Sequence, residues 1–138
     1  MVQEHDGAIT RIDWASPGKD ERTPLLVETC RQLQAYFHND LGEFDLPLAP
    51  AGSDFQQRVY EAILGIGWGR TKTYGQLAEV VETSAQAVGW ACGSNPIPII
   101  IPCHRVVAVG ALGGYSGAHG IETKIALLRL EGGYALLL

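Results

Sequence analysis

Cysteine, basic side chains and long apolar runs are all scarce in this 138-residue sequence. Its three cysteines, Cys30, Cys92 and Cys103, form no Cys-x-x-Cys pair, so neither a disulfide framework nor a zinc site is indicated. The 10 Lys and Arg residues are outnumbered by 15 Asp and Glu residues, which gives a net charge of -5. Because most nucleic-acid binders neutralise phosphates with basic side chains, this balance argues against such a partner.

Membrane and secretory segments are also missing from the pattern. No apolar stretch approaches the roughly 20 residues that a membrane-spanning helix needs. Residues 1–20 are polar and lack the basic start and apolar centre of a secretory signal. No residue pattern requires a cofactor or a bound metal ion. The sequence therefore predicts one compact, soluble and cytosolic protein.

The N-terminal third of the sequence predicts one strand, one helix and a linker. Residues 8–14 alternate between apolar and polar as a strand does, and from Pro24 to about Asn39 apolar residues recur at helical spacing behind Thr23 as the cap. Residues 46–53 contain two prolines and a glycine, so we predict a linker there and a domain boundary near residue 52. A lone strand needs a partner, which leaves a monomer or a homodimer paired through this strand as alternatives.

The rest of the sequence is mostly helical in pattern. The predicted elements are a helix from Ser53 or Asp54 to Gly65, short helices over 74–81 and 84–91, a strand over 106–109 and a last helix from about Ile121 to Glu131. The two short helices have the layout of a helix-turn-helix, which many other helical proteins share. We expect an α+β fold, with a mostly helical, winged-helix-like domain over 52–138 and a smaller α/β segment over 1–51.

The run Ile99-Ile100-Ile101-Pro102-Cys103-His104-Arg105 places a thiol directly before an imidazole. A nucleophilic cysteine needs a thiol pKa below its free value of about 8.5, which a nearby base or positive charge provides. Adjacent side chains usually point apart, however, which argues against the Cys-His pair of a cysteine protease. From the residues alone, Cys103 is either a nucleophile activated in another way or a buried structural cysteine.

Several motifs, taken together and in order, resemble the O6-alkylguanine-DNA alkyltransferase family. They are Phe55-Gln56-Gln57-Arg58-Val59-Tyr60, Tyr74-Gly75-Gln76-Leu77-Ala78, Ala87-Val88-Gly89, the run from Asn95 to Val107, Gly114-Tyr115-Ser116-Gly117 and Leu127-Leu128-Arg129-Leu130-Glu131-Gly132. The resemblance covers roughly residues 46 to 133, and an ordered set of this kind is far more specific than one motif.

The resemblance implies a set of roles for the catalytic residues. Cys103 would accept an alkyl group from O6 of guanine, and His104 would act as its base through a water that Glu131 helps to orient. Asn95 would brace this network, and Tyr74 would contact DNA and assist the departing guanine with a hydrogen bond. The thioether product does not hydrolyse readily, so each molecule would react once.

The resemblance also implies a set of DNA and base contacts. The residues that it places against the extruded base or the duplex are Gln86, Ala87, Arg105, Val106, Tyr115, Ser116 and Gly117. A rim formed by Arg58, Arg70, Lys72 and Arg105 would support DNA binding despite the net charge. Attack on an alkyl carbon within a duplex requires the base to be flipped out of the stack, at a cost of a few kcal/mol.

The sequence departs from the family pattern at three places. Gln86 stands where members usually insert an arginine into the base stack, and glutamine lacks the charge and planar fork of that residue. The turn over 82–84 is short and the following helix has no Lys or Arg, so we expect weak, salt-sensitive DNA binding. The loop over 115–121 is about two residues longer than in many members, and the N-terminal α/β segment is truncated to its last strand and helix.

Two other functions compete with repair of alkylated duplex. The first is alkyl transfer from a free base, nucleoside or other small donor, which would account for the acidic balance and for Gln86. The second is a damage sensor that binds lesions without repairing them. Relatives of that kind replace the cysteine, so Cys103 argues against a sensor. A purely structural role would leave Pro102-Cys103-His104-Arg105 without an explanation.

Overall fold

The chain begins with a β-hairpin, and only its second strand was predicted from the sequence. In the computed structural model, which describes residues 1–14, 23–115 and 120–132, strand β1 (Val2–His5) pairs antiparallel with β2 (Ala8–Ile12). Asp6 and Gly7 join them with φ angles of 49° and 78°, and positive φ at both central residues is the signature of a tight type I′ hairpin turn. The lone-strand prediction is therefore wrong, because β2 has its partner within the chain.

The predicted linker lies against the other edge of β2. The Ile9 amide donates to the Pro47 carbonyl at 2.8 Å, and the Ala49 amide donates to the Ile9 carbonyl at 2.8 Å. These bonds form a parallel bridge between Ile9 and Leu48. Both edges of β2 are thus paired inside one chain, which removes the reason for proposing a homodimer through this strand.

The helices follow the predicted pattern closely. They are α1 (Pro24–Phe37), α2 (Asp54–Leu64), α3 (Tyr74–Val81), α4 (Ala85–Gly93) and α5 (Ile121–Leu130). Thr23 caps α1 by accepting a hydrogen bond from the Leu26 amide, and Ser53 forms a reciprocal capping box with Gln56 at the start of α2. No helix in the described part of the chain is long and apolar enough to cross a membrane.

The helix-turn-helix is formed by α3 and α4. Glu82 ends α3 in a left-handed conformation (φ 60°), and Ser84 caps α4 by accepting from the Ala87 amide at 3.2 Å. Short parallel strands β3 (Lys72–Thr73) and β4 (Val106–Val107) tie the start of α3 to the segment that follows Cys103. This pairing holds the cysteine segment against the helix-turn-helix.

One buried apolar core joins the N-terminal segment to the helices. Ile9 and Ile12 of the hairpin belong to the same cluster as Val59 and Ile63 of α2 and Leu77 of α3. The structure is thus an α+β arrangement in which the hairpin and α1 pack on the helical part. The division of the chain into two domains near residue 52 stays a prediction.

Candidate active site

The Cys103 thiol lies at the end of a buried, constrained approach. Cys103 begins a single turn of 3-10 helix, Cys103–Arg105, directly after a segment whose isoleucines are all buried. Within that segment Ile99 has a φ of 72°, a left-handed value that is strained for a β-branched residue. The amide of Ile101 donates to the carbonyl of Ile97 at 3.0 Å and so closes the turn around it. The backbone before Cys103 is therefore held in one conformation.

Asn95 braces this segment with both ends of its amide. Its Oδ1 accepts from the Ile97 amide and its Nδ2 donates to the Ile101 carbonyl, each at 2.9 Å. The side chain also hydrogen-bonds to Cys103, which lowers the pKa of the thiol. Asn95 thus fixes the backbone before Cys103 and contacts its thiol, and its part in catalysis stays a prediction.

Burial dominates the thiol's acidity. Cys103 is 7% exposed, and this burial raises the pKa of its thiol although the Asn95 hydrogen bond and the Lys124 charge oppose the shift. The sequence had suggested a nucleophile with a lowered pKa, and the structure gives the opposite direction. A buried thiol of this kind is protonated at rest, so it needs a base at the moment of reaction.

A cavity of about 350 Å³ opens onto the Cys103 thiol, within the usual range of about 300–1,000 Å³ for ligand pockets. Its walls come from α3, α4, the 3-10 turn and the loop before α5, and they consist of Tyr74, Gly89, Cys92, Gly93, Cys103, Gly114 and Tyr115. A Cβ at Gly113 would lie 2.8 Å from the Tyr74 ring, so this glycine permits the loop to approach Tyr74. The cavity is thus lined mainly by aromatic rings, thiols and bare backbone.

The two ring nitrogens of His104 have different surroundings. Its Nε2 lies 2.7 Å from Glu131 Oε2, while its buried Nδ1 has no hydrogen-bond partner among the described residues. Burial lowers the pKa of His104 although Glu131 opposes the shift, so the ring is neutral at pH 7. Because Nε2 faces a carboxylate it carries the proton, which leaves Nδ1 with a free lone pair. His104 can therefore accept a proton at Nδ1.

Glu131 is the centre of a buried hydrogen-bond network. Its two oxygens accept from Arg105 Nε at 2.8 Å and Nη2 at 3.0 Å, from His104 and from the Tyr36 hydroxyl. Burial would raise the pKa of Glu131, but the hydrogen bonds from His104 and Arg105 outweigh it and lower the pKa to about 2. The carboxylate is thus ionised throughout the neutral range, and it acts directly on His104.

Lys124 is a buried cation that the sequence did not indicate. Its Nζ donates to the carbonyls of Val106 at 2.6 Å and Gly114 at 3.0 Å, and it lies 5.8 Å from the centre of the Tyr74 ring. Burial lowers the pKa of Lys124 to about 8, although its charge interactions with ionised Cys103 and Cys92 oppose the shift. A positive charge therefore stands beside the thiol, and it joins two segments of the cavity wall.

Comparison with known proteins identifies this arrangement. The family described as "6-O-methylguanine DNA methyltransferase, DNA binding domain" matches residues 54–133, which is more than half of the chain. The chain belongs to the 6-O-methylguanine DNA methyltransferase family. This match spans the helix-turn-helix, Cys103, Lys124 and Glu131, whereas Tyr36 lies outside it.

Individual relatives extend the match into the N-terminal segment. A methylated-DNA--protein-cysteine methyltransferase of Mycobacterium bovis is 53% identical over 103 residues, which cover 72% of this chain and 61% of that protein. One of Methanosarcina acetivorans is 48% identical over 115 residues, 81% of this chain and 72% of that protein. The crystal structure of Mycobacterium tuberculosis OGT in complex with DNA has a TM-score of 0.82 at 41% identity and covers 96% of this chain and 86% of that chain. The chain thus spans less than two thirds of the length of the mycobacterial relative.

The methyltransferase fold brings most of the predicted catalytic residues together. Tyr74, at the first position of α3, and Cys103 line one cavity, Asn95 hydrogen-bonds to Cys103, and His104 bonds to Glu131. The part of Glu131 in orienting a water stays a prediction. Tyr36, which joins the network from α1, was not found from the sequence, because nothing near it in the chain marks a partner 95 residues away.

The predicted DNA and base contacts divide into three groups. Gln86 is exposed in the first turn of α4, Ala87 beside it is half-buried, and Tyr115 lines the cavity. Val106 is fully buried and meets the site only through its carbonyl, which accepts from Lys124. Ser116 and Gly117 lie outside the described residues.

Arg105 lies where it cannot reach a phosphate. Its guanidinium is held by Glu131 and by the carbonyl of Ile66, and the residue is 7% exposed. The interpretation of Arg105 as a DNA contact and as part of a basic rim is corrected to a structural role in the buried network. Arg58, Arg70 and Lys72, the other residues of that rim, are exposed.

Proposed function

We propose that this protein repairs DNA by transferring an alkyl group from O6 of guanine to the sulfur of Cys103, once per molecule. The observation that carries the proposal is the position of the Cys103 thiol, which opens onto a cavity between the helix-turn-helix and the loop before α5, with His104 as the next residue of the same turn. The names of the relatives support the same reaction.

The transfer exchanges one bond to the alkyl carbon for another and returns the thiol proton to the product. The Cys103 sulfur attacks the alkyl carbon, an S–C bond forms and the C–O6 bond breaks. His104 Nδ1 receives the thiol proton through the bridging water that the family resemblance predicts, and that proton returns to the released guanine as it regains its keto form. Burial raises the pKa of Tyr74, so its hydroxyl stays protonated and serves as a hydrogen-bond donor to the departing base.

The duplex would deliver its alkylated base to this cavity by base flipping. Gln86, exposed at the start of α4, is the residue that would enter the space left in the stack. Gly89 and Gly93 of the same helix form part of the cavity wall with their backbone, and Cys92 adds only a small thiol side chain there. Extrusion costs a few kcal/mol, which contacts inside the cavity must offset.

A second candidate is transfer from a small, non-duplex donor. It is favoured by the absence of Lys and Arg from the whole of α4, together with the net charge of -5. Such a helix gains little from phosphate neutralisation. The thiol and cavity chemistry would be unchanged, and only the delivery of the alkyl group would differ.

Mass spectrometry of the intact protein separates these candidates. After incubation with a duplex that contains one O6-methylguanine, we expect one added methyl group per chain, located at Cys103 by peptide mapping. Free O6-benzylguanine serves as the small donor, and both reactions are followed across a range of salt concentrations. Labelling by the duplex at low salt supports DNA repair, labelling by the free base alone supports the second candidate, and labelling by neither contradicts both.

Lys124 should be needed for fast transfer. Replacing it with methionine removes the positive charge beside the thiol and leaves the carbonyls of Val106 and Gly114 without their donor. Since a hydrogen bond to a charged group contributes about 1.5–3 kcal/mol, we expect transfer from free O6-benzylguanine to slow by about 10- to 100-fold. The Lys124→Arg variant, which keeps the charge, should retain more activity. Equal rates for wild type and Lys124→Met at matched folded fraction would contradict this role.

A further inference from the structure

We propose that Trp90 is a base-stacking residue on the DNA-facing side of α4, the helix that forms part of the Cys103 cavity wall, and that it binds an unstacked nucleobase there. This inference rests on the proposed function, since it concerns how DNA is held at the same site. Stacking on this aromatic ring would supply part of the DNA-binding free energy that a basic helix obtains from charge.

Trp90 lies on one face of α4 together with Gln86 and two glycines. Residues 86, 89, 90 and 93 follow helical spacing and therefore share one face of α4, whereas Val88 and Ala91 are buried on the opposite side. On the shared face Gly89 and Gly93 line the cavity that reaches Cys103. Trp90 is thus a large side chain on the same face of α4 as these two glycines, one helical turn after Gln86.

The Trp90 ring is largely exposed to solvent. Its side chain is 71% exposed, and it has no aromatic or cation-π partner among the described residues, unlike Trp14 and Trp68. An indole ring left in water gives up much of the free energy that its burial would contribute. Because this ring contributes nothing to the core, a binding role explains its presence on the helix that adjoins the cavity.

The chemistry of α4 decides in favour of a nucleobase as the occupant. The helix offers no Lys or Arg to phosphates, so its affinity for DNA must come from uncharged contacts. A tryptophan ring stacks on any base, at about 1–3 kcal/mol per base, and this interaction releases no counterions. An unpaired base becomes available here because extrusion of the target nucleotide leaves its neighbours and its partner unstacked.

The test compares DNA binding by wild type and by Trp90→Ala, measured by fluorescence anisotropy with a labelled duplex that contains one unpaired nucleotide. We expect Trp90→Ala to weaken binding by about 5- to 100-fold without changing the slope of log K against log salt. Trp90→Phe should recover most of the affinity. Val27→Ala, which trims an exposed apolar side chain on α1, should bind like wild type.

Reaction with free O6-benzylguanine distinguishes failure of this inference from failure of the proposed function. Trp90→Ala should react with that small donor at the wild-type rate, because the ring stands outside the thiol chemistry. Unchanged or tighter DNA binding by Trp90→Ala would overturn the inference, since the ring would then be passive or obstructive. An absence of alkyl transfer in wild type would count against the proposed function, whereas the anisotropy comparison would still decide the role of Trp90.

Discussion

Replacing Cys103 with alanine is expected to abolish alkyl transfer completely and to leave the binding of alkylated duplex intact. The substitution removes the sulfur that forms the new bond, while Tyr74, Gly89 and Gly114 still line the cavity. The fold should tolerate it, because the change removes a single buried atom and costs no more than a few kcal/mol. Intact-protein mass spectrometry with O6-methylguanine duplex measures the first effect, and anisotropy measures the second.

Cys92 provides a demanding control because it lines the same cavity as Cys103. Burial and the neighbouring Cys103 thiol raise the pKa of Cys92 to about 12, and neither Asn95 nor His104 is bonded to it. We therefore expect Cys92→Ala to accept one alkyl group as wild type does, and we expect the same of Cys30→Ala on the surface. A mass increase in Cys103→Ala, or the absence of one in Cys92→Ala, would contradict the assignment of Cys103 as the acceptor.

The helices could be predicted because their signals are local. The start of α1 is marked by Thr23 before Pro24, and α2 is bounded by Ser53 before it and by glycines after it. The spacing of the apolar residues predicts which face of each helix is buried. The first strand was missed although Asp6-Gly7 is a hairpin signal, because β1 is polar and half-exposed and has no clear apolar alternation. The pairing of β2 with residues 47–49 could not be predicted, since a proline-rich segment reads as a linker.

The site was predictable only as far as its residues are adjacent in the chain or match the family motifs. Cys103, His104 and Asn95 lie in one such run, and Glu131 ends another. Lys124 follows Glu122 and Thr123 in α5 with no motif of its own, and its burial follows from where β4 and the loop at Gly114 are brought together. Contacts of this kind depend on the tertiary fold. The misplacement of Arg105 has the same origin, because its partners Glu131 and Ile66 are distant in sequence.

Glutamine at position 131 is expected to destabilise the protein by about 3–5 kcal/mol, the cost of removing one partner of a buried ion pair. The Arg105 guanidinium would keep its buried position and lose its counter-charge. His104 would lose the carboxylate that holds its proton on Nε2, so alkyl transfer should also slow by about tenfold or more. Urea unfolding at pH 7 and labelling with free O6-benzylguanine measure the two effects separately.

The same substitution predicts a pH dependence with a defined sign. Because the folded pKa of Glu131 is lowered from 4.5 to about 2, its ionisation stabilises the native state fully above pH 4.5, and this contribution, on the order of 3 kcal/mol, is lost as the pH falls through 2. The stability difference between wild type and Glu131→Gln should therefore shrink between pH 4.5 and 2. Tyr36→Phe, which removes a single hydrogen bond to the Glu131 carboxylate, should lower the free energy of unfolding by about 2 kcal/mol at pH 7. If the gap between wild type and Glu131→Gln stays constant down to pH 2, the carboxylate charge does not hold the network together.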